Sequence, residues 1–351
     1  MNWSPQQDAA LLAVEKWLQD PRKKPFFRLD GFAGTGKTTL AKHFAESVNG
    51  PVYFGAYTGK AASVMQRKGC QGAGTIHSLI YRCVGEKGHR LLFELNSCSP
   101  VAGAALVVVD EVSMVGRKMA QDLLSFGVPI LVLGDPFQLP PVGDEGFFMH
   151  GTPDVLLTEV HRQALDSPVL RLATDIRQGR ARIEHGTLEE ADNDVDQWIV
   201  GMNTTRGAMN QVLRGALMPP GVRELPVAGD KLVCLRNDRR LGLLNGTLWI
   251  VKQAGNRVGN EFYLHVQDES GWQEVDCFAA CEPFFGKEPP RFNGKELGIF
   301  DYGYALTCHK SQGSQWDRVG IVDESRVFRE MADRWLYTAV TRAAKEVKLY
   351  K

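Results

Sequence analysis

The segment Gly31-Phe-Ala-Gly-Thr-Gly-Lys37-Thr38 constrains this chain more than any other. It fits the pattern G-x-x-x-x-G-K-[ST], follows the apolar run Phe26–Asp30 and opens the helix-like stretch TLAKHFAESV. A strand, a glycine-rich turn and a helix in that order form a cradle for phosphate. The glycines let backbone N–H groups turn toward an anion, and the helix N-terminus adds the positive end of its dipole. Lys37 is expected to reach the β- and γ-phosphates of ATP and Thr38 to bind Mg2+. Gly34, Thr35, Gly36 and Thr39 complete the expected nucleotide contacts.

The rest of the first half has the texture such a site requires. Pro51–Ala56, Ala105–Val109 and Pro129–Leu133 are short apolar runs between helical stretches. Continuous runs of this kind indicate a parallel sheet buried on both faces, hence a doubly wound α/β domain. One run, ALVVVDE, ends in two carboxylates. Asp110 is expected to hold Mg2+ through water, and Glu111 to activate the attacking water. A third run, PILVLGD, leads to Gln138, which would sense the γ-phosphate or orient water at the same sheet edge. Phosphoryl transfer needs positive charge beyond Lys37, and Arg162 and Arg342, both in a second α/β domain that begins near His161, are candidates.

Two segments break the pattern. Between Tyr81 and Pro100, RCVGEKGHRLLFEL places an EKG turn between apolar runs and reads as a hairpin. From about Val222 to Phe285, GDKLVCL, GTLWIVKQ, EFYLHVQ and WQEVDCF are short strands spaced for a small barrel, with KEPPRFNGKE as a linker after it. The α/β texture returns from Tyr304, with strands near Arg318–Val322 and Val347–Tyr350. The basic cluster Leu235–Arg240 reads as a solvated face of the barrel.

The 41 basic and 41 acidic residues cancel, which argues against charge-dominated duplex binding but leaves room for a local basic groove. No apolar run is long enough to span a membrane, and Met1–Asp8 lacks the pattern of a secretory signal. Seven scattered cysteines without a C-x-x-C pair read as reduced thiols of a cytoplasmic protein with no zinc site.

Taken in order, PQQDAALLAV, GFAGTGKTTL, TGKAA, TIHSLI, VVVDEVSM, GDPFQLPPV, EVHRQ, YALTCHKSQGSQWD and YTAVTRAAKEV resemble the superfamily 1B helicases of the RecD and phage Dda group. The resemblance runs from about residue 3 to residue 350, and LTEVHRQ…SPVLRLATDIRQG is especially Dda-like. It implies two RecA-like P-loop domains. The first covers 1–80 and 101–160, with a pin hairpin at 81–100. The second covers 161–222 and 296–351, with an Src-homology-3-like barrel inserted at 223–295.

The resemblance also implies an ATP-dependent, 5′-to-3′ DNA helicase of bacterial or phage origin, able to act as a monomer. Its partners would be single-stranded DNA, junctions of duplex with single strand, and a single-stranded-DNA-binding or recombination protein. Gln7 would read adenine, with Gln6 as the neighbouring alternative. Arg162 and Arg342 would contact the γ-phosphate, and Gly313 would border the nucleotide. Thr58, Lys60, Thr75, His77 and Phe93 would touch DNA from the first domain, Phe93 by stacking at the pin. Thr307, His309, Lys310, Ser311 and Gln312 would do so from the second. No counterpart is evident for the Dda extension that braces the pin, and no RecD-style N-terminal docking domain is expected. A protein-displacing translocase with weak unwinding and a non-motor subunit with a vestigial ATP site are the alternatives.

Overall fold

The computed structural model describes residues 3–87, 90–141, 146–159, 167–188, 194–217, 224–238, 240–269, 271–290 and 297–351. The first unit contains β1 (Phe26–Gly31), β2 (Val52–Ala56), β3 (Gly74–Thr75), β4 (Tyr81–Lys87), β5 (Arg90–Leu95), β6 (Leu106–Asp110), β7 (Ile130–Gly134) and β8 (Val155–Leu157). Six of these form one sheet in the order β3-β2-β6-β7-β1-β8, with every pairing parallel. Leu106 to Val109 and Ile130 to Leu133 have no solvent exposure, as expected for central strands covered on both faces by helices. β7 lies between β1 and β6, so the chain leaves Gly31, Asp110 and Gly134 at one edge of the sheet. Open α/β sheets bind ligands at that carboxyl edge.

β4 and β5 pair only with each other, in the expected hairpin. The second parallel sheet holds β9 (Gln197–Val200), β16 (Ala305–Thr307), β17 (Trp316–Val322) and β18 (Ala343–Tyr350) in the order β16-β9-β17-β18. Between β9 and β16 the chain makes β10 (Lys231–Cys234), β11 (Leu248–Val258), β12 (Glu261–Asp268), β13 (Glu274–Ala280), β14 (Leu297–Gly298) and β15 (Phe300–Tyr302). Their order is β14-β13-β12-β11-β10-β15. The two edge strands are neighbouring stretches of one segment, interrupted at Ile299, whose carbonyl accepts from Leu235 N–H at 2.8 Å. The sheet therefore curls round until its edges meet, which makes the inserted unit a barrel.

The barrel reaches beyond the expected boundary at 295. β15 pairs antiparallel with β10, matching Cys234 to Phe300 and Leu232 to Tyr302, so the barrel ends at Tyr302. KEPPRFNGKE looked like a terminal linker because its prolines and glycine cannot sustain a strand, yet the closing strand follows it. The start of the barrel at Val222 lies outside the described residues. No helix among the described residues is long and apolar enough to cross a membrane.

Helix Ala332–Val340 packs across the second sheet, and its residues from Trp335 to Val340 are all buried. Among them are polar atoms that do not face that core.

Candidate functional site

Gly34 and Gly36 adopt φ of 79° and 80°, a left-handed conformation that side chains resist, and so turn the phosphate loop around its own amides. Gly31 is needed for space, because a Cβ there would lie 2.6 Å from Thr35 Oγ1. The Lys37 ammonium sits at the base of the loop and donates to the Gly31 and Phe32 carbonyls at 2.5 and 3.1 Å. Thr38 Oγ1 donates to Asp110 Oδ2 at 2.8 Å, which joins the loop to the end of β6. This hydroxyl and carboxylate are hard oxygen donors suited to Mg2+. No cluster of three or more His, Cys, Asp or Glu ligands occurs among the described residues.

Glu111 follows Asp110 in a left-handed conformation, φ 55° and ψ 43°, that non-glycine residues seldom adopt. Its amide donates to Asp110 Oδ1 at 2.8 Å. Burial pushes the Glu111 carboxyl pKa up; Arg342 and Lys37 pull against that, while Asp110 adds to it. A carboxylate with a raised pKa near a phosphate site suits a general base. Hydrogen-bonding geometry orients the Gln138 amide so that its nitrogen donates to Glu111 Oε2 at 3.0 Å and its oxygen accepts from Arg342 Nη2 at 3.3 Å. Gln138 thus bridges the carboxylate of the first unit and the guanidinium of the second.

Arg342 is 5% exposed, and its guanidinium also donates to the Thr338 and Ser314 carbonyls at 3.1 and 3.2 Å. A cleft of about 390 Å³ opens between the two units, lined by Lys37, Thr38, Asp110, Glu111, Gln138 and Arg342, with Gly313 at its margin. A Cβ on Gly313 would lie 2.8 Å from Thr58 Oγ1, so the second unit touches the start of helix Gly59–Arg67 here. Arg162 lies outside the described residues.

The second unit grips the cleft by one face of helix Ala332–Val340. The Tyr337 hydroxyl donates to Asp135 Oδ2 at 2.8 Å and accepts from the Ala33 N–H of the phosphate loop at 2.9 Å. Arg334 donates to the Pro136 carbonyl at 2.8 Å, and Thr338 Oγ1 accepts from Leu139 N–H at 2.9 Å. Arg177 stacks its guanidinium 3.7 Å from the Phe32 ring centroid.

Gln7, expected to read adenine, lies against the phosphate loop. Its amide nitrogen donates to the Thr35 carbonyl at 3.0 Å and its oxygen accepts from Ser4 N–H at 3.1 Å. It is 3% exposed and completes a capping box on helix Pro5–Gln19, so it braces the loop from behind. Gln6 accepts from the Thr158 and Glu159 amides at 2.8 and 2.9 Å, which also occupies its carbonyl.

The first-unit residues expected to touch DNA divide into three groups. Thr58 and Thr75 cap helices Gly59–Arg67 and Ile76–Ile80, accepting from Ala61 N–H and Ser78 N–H. Lys60 lies 4.1 Å from the Trp316 ring centroid and pairs with Glu269 of the barrel at 3.1 Å. His77 meets the Phe93 ring edge-on at 4.5 Å, and Phe93 stays 37% exposed at the foot of the hairpin.

On the second unit, Lys310 is exposed, and Thr307 begins the short helix Cys308–Ser311. His309 lies 6.1 Å from Phe328, and burial lowers its pKa. Ser311 and Gln312 turn inward, against expectation. Ser311 Oγ donates to the Cys308 carbonyl at 2.7 Å, and Gln312 donates to the Leu139 carbonyl of the first unit at 2.9 Å. The single helical turn puts them on its buried side. In the basic cluster, Arg236 donates to the Pro290 and Leu297 carbonyls and is half-buried, whereas Arg240 is exposed as expected.

Sequence reading passed over Tyr337, Glu269 and Arg177. A signal existed for Tyr337 alone: in the apolar run RWLYTAV, a buried tyrosine needs a partner for its hydroxyl.

Residues 4–195 match the family model described as AAA domain, and residues 302–350 match the UvrD-like helicase C-terminal domain. The chain is 32% identical over 356 residues to the ATP-dependent RecD2 DNA helicase of Deinococcus radiodurans, a match covering 90% of this chain and 45% of that protein. It is 34% identical over 173 residues to the ATP-dependent DNA helicase dda of Enterobacteria phage T4, covering 45% of this chain and 39% of that one. Each match spans less than half the length of the relative. Bacteroides Pif1 bound to single-stranded DNA superposes with a TM-score of 0.64 at 19% identity, over 99% of this chain and 92% of that one. At that identity the likeness speaks for the fold, two RecA-like units, alone.

Proposed function

Because the chain belongs to the AAA-domain family of P-loop ATPases, within the RecD/Dda group of superfamily 1B helicases, we propose that it is an ATP-driven motor that steps 5′ to 3′ along single-stranded DNA and separates duplex. The observation that carries this reading is the position of Arg342. The second unit delivers its guanidinium into the cleft of the first, 3.3 Å from Gln138, which also holds Glu111.

In this reading Lys37 and the loop amides bind the β- and γ-phosphates, and Thr38 and Asp110 hold Mg2+. The ion supplies positive charge to the phosphate oxygens when bound. Glu111 takes a proton from water as the water oxygen bonds to the γ-phosphorus and the bond to the β-phosphate oxygen breaks. Lys37 and Arg342 offset the charge on the transferring group. Arg342 gains its phosphate partner only when the units are closed, so hydrolysis and phosphate release favour opening. Lys60, His77, Phe93, Thr307, His309 and Lys310 are the proposed strand contacts, held by phosphate and stacking interactions with little sequence preference. Junctions of duplex with single strand are the proposed substrate, and a single-stranded-DNA-binding or recombination protein the proposed partner. Action as a monomer in the cytoplasm completes the proposal.

One observation favours a second reading, a translocase that displaces bound proteins and unwinds weakly. Among the described residues the hairpin strands pair only with each other, and the Phe93 ring meets His77 edge-on.

The test is ATP turnover with and without single-stranded DNA, for the wild type and Lys37→Ala. DNA-stimulated turnover that the substitution abolishes is the expected result. No turnover in either protein would leave a binding subunit. Duplexes with a 5′ tail should open, and opening of 3′-tailed duplexes alone would reverse the polarity.

A further inference from the structure

The helix that leads to Arg342 makes a second connection to the nucleotide cleft, by a residue with no role in the chemistry above. Tyr337 is 1% exposed and its ring packs edge-on against Phe137 at 5.2 Å, so packing alone would account for an aromatic side chain here. Packing does not account for the hydroxyl. That one oxygen makes two hydrogen bonds, both across the boundary between units, to the Asp135 carboxylate and to the Ala33 amide.

Each partner leads to a different part of the catalytic machinery. Ala33 belongs to the phosphate loop. The other oxygen of Asp135 accepts from Phe137 N–H at 3.0 Å, and its carbonyl accepts from Gln138 N–H at 3.2 Å, so Asp135 shapes the turn that presents Gln138. Gln138 in turn holds Glu111 and Arg342. Arg334 and Thr338, on the same helical face, bind backbone atoms of the turn, and the Tyr337 hydroxyl reaches the phosphate loop as well.

We propose that the Tyr337 hydroxyl is a positioning contact by which closure of the second unit aligns the phosphate loop with the Asp135–Gln138 turn for hydrolysis. The inference rests on the ATPase reading above and adds a residue to it. Tyr337 touches no reacting atom in this scheme. It works through Ala33 and Asp135, so its loss should slow the step that needs alignment and spare nucleotide binding, which relies on Lys37 and the amides from Gly34 to Thr38.

The test is Tyr337→Phe in the full chain, which keeps the ring and removes the oxygen. DNA-stimulated kcat should fall about 10- to 100-fold, as expected when catalytic groups are displaced without being removed. KM for ATP should stay within about threefold, the signature of an effect on the transition state rather than on binding. Asp135→Asn should behave similarly, and the double variant should be little worse than either single one. Amide exchange in the peptide covering 30–38 should speed up in Tyr337→Phe while the melting temperature stays close to that of the wild type. Unchanged kcat, or kcat and KM worsening together with a large loss of melting temperature, would overturn the proposal. A wild type lacking DNA-stimulated turnover would instead defeat the ATPase reading. The exchange measurement then decides the contact by itself, and unaltered exchange at 30–38 would end it.

Discussion

Lys60 of the first unit and Glu269 of the barrel form an ion pair of 3.1 Å, although 209 residues separate them in the chain. Glu269 also pairs with Lys231 at 3.1 Å and accepts from the Trp316 indole at 2.9 Å. Burial alone would raise the Glu269 pKa, but Lys231 and Lys60 bring it down to about 2. The carboxylate thus occupies a lysine that is also a proposed DNA-phosphate contact. Glu269→Gln should raise affinity for single-stranded DNA several-fold at low salt, measured by fluorescence anisotropy. Unchanged or weaker binding would mean that the pair is only structural.

The same pair has a signature in pH. The folded pKa of Glu269 is depressed, so its stabilisation is fully present above the unfolded value of about 4.3. It is lost as pH falls toward 2. The melting-temperature gap between wild type and Glu269→Gln should therefore be constant above about pH 5 and narrow below it. A gap that stays constant down to the lowest pH at which the protein folds would contradict this.

Glu111 has the opposite sign. Its folded pKa is raised by burial, so stability is lost as pH rises from the unfolded pKa through the folded one, and the ionised base is held at a cost. Glu111→Gln should lower kcat by about 10²–10⁴-fold. It should raise the melting temperature at neutral pH, because the neutral amide avoids the desolvated charge. A variant that is both inactive and less stable would assign Glu111 a structural role.

Arg342→Ala should lower DNA-stimulated turnover by about 10³–10⁵-fold, as for other arginines that contact a transferring phosphoryl group. Arg342 also lowers the Glu111 pKa, so the residual activity should need a higher pH, with the acid limb of the kcat profile shifted upward. An unshifted limb would separate Glu111 from the observed titration.

Phe93→Ala should leave DNA-stimulated ATP turnover within about twofold and reduce unwinding of forked duplex, if the exposed part of the ring serves as the wedge. Equal loss of both activities would make Phe93 part of the strand grip, and loss of neither would favour the protein-displacing translocase.

Local patterns made the nucleotide site legible before any coordinates. The phosphate loop is a continuous segment whose glycines meet a local steric demand, and LVVVD reads as a buried strand because every residue before the aspartate is apolar. Four-residue β9 was less visible, since QWIV is too short for any periodicity to register. The barrel's closing strand was hidden behind the prolines of its approach. Other relationships could not be read locally at all. Gln7 was assigned to a base, but the partner that claims it, Thr35, is 28 residues away. Tyr337 and Glu269 depend on groups 304 and 209 residues distant, and which far segments meet is decided by the packing of whole units.

After β9 the chain makes helix Asn203–Leu217 and then the barrel, and it returns to the second sheet at β16, which lies beside β9. The barrel's exit is short and stiff: a Cβ on Gly303 would lie 2.8 Å from the Leu232 backbone, and the Tyr304 hydroxyl donates to buried Asp230 at 2.8 Å. On its exit side the barrel is therefore held closely against the second unit. In the proposed motor the barrel would travel with the second unit. The Lys60–Glu269 pair spans the first unit and the barrel, so in the proposed cycle its spacing would follow the opening of the nucleotide cleft, and a pair of probes placed there would report it from a position remote from the phosphates.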